Sequence, residues 1–130
     1  MKLSALFILS FLVFFTVGCT GYGPKKVFGN IDIYYTSAVT TSEVDALGDY
    51  FIKSGFDKNG QHKTTKLNKS GNTYELSMVV KKGLEQDQEY IDILKKYAAY
   101  ISHYVFNDAT VEIHACDNHL NTLRVVLMER

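Results

Sequence analysis

From Leu3 to Val17 the chain is uncharged and mainly apolar without a break, whereas from residue 29 onward apolar and polar positions alternate in short periods. Ile31, Ile33 and Tyr35 take every second position with Asp32, Tyr34 and Thr36 between them, the two-residue period of a strand. Thr40-Thr41-Ser42-Glu43 supplies a capping box, Thr40 with Glu43 three residues on. The helix predicted behind it sets Val44, Leu47, Gly48 and Phe51 on one side and stops at Ser54-Gly55. Asp57-Lys58-Asn59-Gly60 reads as a turn. Two extended runs, Thr64 to Lys69 and Thr73 to Lys81, meet through Ser70-Gly71-Asn72, a tight hairpin signal. In the second run Tyr74, Leu76, Met78 and Val80 alternate with a mostly polar set, which favours a sheet covered on one side only.

The longest predicted helix runs from Asp87 to about Phe106. Tyr90, Leu94, Tyr97, Ala98, Ile101, Tyr104 and Val105 recur on one side, with Asp92, Lys95, Lys96, Ala99 and His103 opposite. Val111, Ile113 and Ala115 then make a strand, Asp117 to Asn121 a turn, and Leu123 to Met128 a last strand. The order β-α-β, β-α-β and one further strand predicts a single α+β domain over residues 29–130. The expected form is a two-layer ferredoxin-like βαββαβ sandwich with an added C-terminal strand, an antiparallel sheet and both helices on one face. Residues 20–28, TGYGPKKVF, hold two Gly, the only Pro and a Lys pair, so residues 19–28 read as a flexible tether.

Composition narrows the function classes. Within 130 residues, 14 basic groups balance 14 acidic ones, without the basic excess usual in nucleic-acid binders. The 46% apolar and 22% charged content excludes wholesale disorder. Two Cys exclude a disulfide-dense miniprotein.

The opening segment is an address. Lys2, the 15-residue apolar run and the small residues beyond it make a secretory signal over residues 1–18. The run falls short of the roughly 20 residues of a permanent spanning helix. Phe15-Thr16-Val17-Gly18-Cys19 follows, and this resembles the lipobox of bacterial lipoprotein precursors, in which a small residue precedes the Cys that becomes the lipidated first residue. Thr16 stands where the usual pattern has Leu. The resemblance implies acyl chains such as palmitate on Cys19, and two or more chains make a stable anchor. It further implies a location in the bacterial cell envelope, outside the cytoplasm. Thr20, where Asp would signal inner-membrane retention in enteric-type bacteria, is compatible with the outer membrane. Signal cleavage that leaves a soluble protein, and a retained anchor helix, are the alternatives.

Candidate chemistry is sparse. In His114-Ala115-Cys116-Asp117-Asn118-His119, alternation puts His114 and Cys116 on one strand face, and His119 can fold back from the turn. Imidazole and thiolate are the ligands of zinc and copper sites, so His114, Cys116 and His119 are the candidate metal set. The spacing matches no strong motif, and a strand end running into a turn accounts for the same residues; the expectation is therefore no metal or other cofactor. Cys116 reads as a buried small apolar residue, or, if Cys19 carries no lipid, as its disulfide partner. No Gly-rich phosphate loop, nucleophile elbow or HExxH is present, so no catalytic residue is expected. Lys58, Lys63, Lys66 and Lys69 suggest a Lys-protected sheet edge, with a basic patch for anionic headgroups as the alternative. The series Tyr90, Tyr97 and Tyr104 is expected to face the core.

Lys53-Ser54-Gly55-Phe56, Leu67 to Tyr74 and Val111 to Asp117 with Leu120 and Thr122 resemble phrases of a small domain of bacterial exported or membrane-attached proteins. No catalytic motif comes with that resemblance. The reading is a membrane-anchored envelope lipoprotein acting as a non-enzymatic binding module for an envelope protein or glycan, not for nucleic acid. The alternative is a periplasmic metal-binding or redox-responsive module.

Overall fold

The computed structural model describes residues 21–130, so the predicted signal segment and Cys19 lie outside the described residues. Strand β1 spans Lys25–Phe28 and β2 Ile31–Tyr35; helix α1, Thr41–Lys53, leads to β3, Lys63–Ser70, and β4, Thr73–Val79. A single helical turn at Leu84–Gln86 precedes α2, Gln88–Tyr104, and the chain continues through β5, Thr110–Cys116, and β6, Thr122–Leu127.

The Thr40–Glu43 capping box does what its chemistry requires. Thr40 Oγ1 accepts from the Glu43 amide at 3.1 Å while Glu43 Oε1 accepts from the Thr40 amide at 2.8 Å. Asp87 caps α2 with its side chain alone, accepting from the amides of Glu89 and Tyr90. The buried positions of α1 are Val44, Leu47, Gly48 and Phe51, as the helical period predicts.

The strands form one mixed sheet in chain order, β1-β2-β3-β4-β5-β6. Pairs β1–β2, β3–β4 and β5–β6 are antiparallel, while β2–β3 and β4–β5 are parallel. The α+β class is therefore as expected, but the antiparallel ferredoxin-like arrangement is not. That arrangement inserts a strand between the two strands each helix connects. Here α1 joins the neighbours β2 and β3, and α2 joins β4 and β5. Period-two patterning shows which side chains point inward; it carries nothing about which strand lies beside which.

Tyr35, Leu67, Leu76, Ile113 and Val126 stand in register across five strands and form a central row of the core. Helix residues Val44, Leu47, Phe51, Ile91, Leu94, Ala98 and Ile101 complete the same cluster. Ring contacts link the helices directly, with Phe51 stacked on Tyr97 at 6.5 Å between centroids.

Three further expectations change. The folded region starts earlier than residue 29, because β1 pairs with β2 through the turn at Gly29-Asn30 and shortens the predicted tether. The anchor of β1 is the ring of Phe28, which lies where a Cβ on Gly48 would sit, 2.4 Å from three ring atoms. Gly48→Ala gains up to about 1 kcal/mol of helix propensity yet evicts that ring. We expect hydrogen exchange to speed up in β1 while α1 and β2 keep their protection, and equal protection in β1 would refute the contact's role. The lysines do not protect an edge, since β3 is an inner strand; instead Lys63 lies over the Phe56 ring and Lys69 over the Tyr74 ring. Finally, Tyr97 packs inward but Tyr104 is 68% exposed. Seven residues fall about 20° short of two full turns, so a heptad series drifts off the buried stripe.

Candidate functional site

The face of the sheet opposite Leu67 and Ile113 is polar. Two register rows cross it: Tyr34, Lys66, Ser77, His114 and Val125 in one, and Asn68, Glu75, Glu112 and Leu127 in the other. Period two sends these side chains to the same side because their neighbours face the core.

An arch spans part of this face. Tyr22 sets its ring edge-on against Tyr34, at 5.2 Å between centroids, and donates its hydroxyl to the His119 carbonyl at 3.2 Å. The turn carrying His119 is held by Asp117, whose carboxylate accepts from the amides of His119 and Asn121, both at 2.9 Å. The backbone change it requires is a bulge between Ala115 and Cys116 and a left-handed Leu120 at φ 63°. Beneath the arch, Thr36, Lys66, Asn68, Glu75 and Ser77 line a groove of ≈ 360 Å³ with Leu120 and Asn121.

The bonds from the Asn121 and His119 amides hold the exposed Asp117 carboxyl below the ordinary Asp range, against a small opposing effect of desolvation. A lowered folded value means the turn is held fully above the ordinary value, about 3.9, and loosens as pH falls through the lowered one. In an NMR titration the amide shifts of His119 and Asn121 should move together with a midpoint below that ordinary value. A midpoint at or above it would show that the carboxylate does not hold the turn.

The three residues read as candidate ligands part company. His114 lies on the polar face, its Nε2 3.0 Å from Glu112 Oε1 and its Nδ1 3.4 Å from Thr122 Oγ1. Cys116 is buried and donates to the His114 carbonyl at 3.1 Å. Burial pushes its thiol up, partly offset by hydrogen bonds with Thr122 and Ser77, so it is a protonated packing group at neutral pH. His119 is exposed in the arch turn, tied through its backbone. What converges with His114 is a pair the sequence reading passed over, Glu75 and Glu112. The outward phase of both was visible in the alternation of their strands; their adjacency was not, because it depends on the parallel pairing of β4 with β5.

Among the described residues no helix is long and apolar enough to cross a membrane. A model described as a family N-terminal domain, AF_1994_N, matches residues 26–127. The chain belongs to that family. The match spans all but the first residue of β1 and runs to the end of β6, so membership covers the whole sheet, the arch turn and both helices. No curated protein and no solved structure matches.

Proposed function

We propose that the protein is an envelope lipoprotein, cleaved before Cys19 and lipidated there, whose domain is a non-enzymatic module that binds another envelope protein. In this reading both helices cover the core face, and the polar face with its outer edge is left for the partner.

The observation that carries the binding role is β6. Among the described residues it has β5 on one side and no strand on the other. Leu123, Val125 and Leu127 are 47%, 45% and 62% exposed along it, and the register sends Val125 and Leu127 to the uncovered face. An apolar edge strand is a template for an extended segment of another chain, which adds main-chain hydrogen bonds and seats alternate side chains.

A photo-crosslinking residue placed at Val125 in native membranes should give a discrete adduct with one envelope protein, and a Leu127→Lys change should abolish it. The same probe at Glu89, on α2, should give none. An adduct with a second copy of the chain, or none from Val125, would overturn the reading.

A further inference from the structure

We propose that Glu75, Glu112 and His114 form a divalent-cation site on the polar face that takes zinc. Glu75 and Glu112 are direct register partners across the parallel pair β4–β5, and His114 lies two residues further along β5 on the same side. One donor atom from each lies within 4.8 Å of the others, and all three residues are partly buried. Like charges placed directly opposite in a sheet repel, and partial withdrawal from water removes the solvent that would screen them. Among the described residues no Lys or Arg forms an ion pair with either carboxylate. The Asn68 amide donates to Glu75 at 2.8 Å, and the His114 ring meets Glu112 at 3.0 Å. One neutral amide and one imidazole do not cancel two carboxylates, so the cluster holds excess negative charge at the point where three donors converge.

The imidazole is already braced as a ligand would be. Its Nδ1 is turned to Thr122 Oγ1, a group outside the donor set, which leaves Nε2 directed at the carboxylates. Partners of this kind fix the tautomer and orientation of metal-binding histidines. One nitrogen and two carboxylate oxygens, with a fourth position open to water, is a zinc-type donor set; calcium and magnesium prefer oxygen alone. The Cys116 sulfur is engaged with the His114 carbonyl and takes no part. This site rests on the β4–β5 pairing and does not depend on whether Cys19 is lipidated or β6 is occupied.

The test is titration of the full chain in detergent with zinc chloride, by calorimetry and by competition with a chromophoric chelator. One equivalent should bind. His114→Ala, Glu75→Gln and Glu112→Gln should each weaken uptake about 100-fold or more, and Thr122→Val about 10-fold, with unchanged far-UV circular dichroism. Cys116→Ala and His119→Ala should bind as the parent does, and cobalt(II) in the site should show no thiolate charge-transfer band. No uptake, uptake that survives His114→Ala, or loss in Cys116→Ala or His119→Ala would each overturn the proposal. The two glutamine variants are nearly isosteric with the parent, so they remain informative if the alanine variant fails to fold.

Discussion

Phe51→Ala should cost about 3–5 kcal/mol of folding stability. Phe51 is fully buried on α1 and is the largest of the fully buried side chains. Its ring meets Phe56 at 4.8 Å between centroids and Tyr97 of α2 at 6.5 Å. The first contact depends on the helix end. Gly55 takes φ +80°, the left-handed conformation that turns the chain back, and the Phe56 amide then donates to the Phe51 carbonyl at 2.9 Å. Removing the ring leaves a void walled by Phe56 and Tyr97, and a packed interior closes such voids only in part. A domain of this size has only about 5–15 kcal/mol of net stability, so the loss is a large share of the whole. Urea unfolding should show a strongly lowered midpoint. Ile93→Ala, at a 59% exposed position of α2, should change stability by no more than about 0.5 kcal/mol. A Phe51→Ala loss under about 1 kcal/mol would mean that the ring is not the join between the helices.

The second large effect concerns Cys19. Cells fed an alkyne-bearing palmitate analogue should label the parent chain and leave Cys19→Ser unlabelled. The parent recovered from membranes should begin at residue 19 and carry the added mass of several acyl chains. The physical basis is additive: each buried methylene contributes about 0.8 kcal/mol, so one chain holds a protein only reversibly and two or more hold it firmly. Alkaline and high-salt washes should therefore leave the parent on the membrane. A native chain that retains residues 1–18, or a Cys19→Ser chain that still takes label, would remove the anchor from the proposed function. The zinc site would be untouched by that result.

Local chemistry was readable wherever it was self-contained. The Thr40–Glu43 box, the turn at Gly71 and the four buried positions of α1 are all decided within one turn or one hairpin. Strand β1 was missed because it is four residues long and reads as tether: Pro24 and two lysines lead into it, and its stabilising contact is Phe28 on Gly48, twenty residues away. Cys116 was legible as a buried thiol.

The composition of that site was another matter. Alternation along β4 and β5 turned Glu75, Glu112 and His114 outward, and any stable placement of these strands over an apolar core would do the same. Whether Glu75 met Glu112, Lys66 or nothing depended on the neighbour and the register. Intrinsic preferences and capping act over a few residues and were written in the chain itself. Strand order, the β1 contact, the arch from Tyr22 to His119 and the convergence of two carboxylates on one imidazole came only with the tertiary structure. They depend on long-range closure, where many pairings bury similar apolar area and packing of the whole core selects among them.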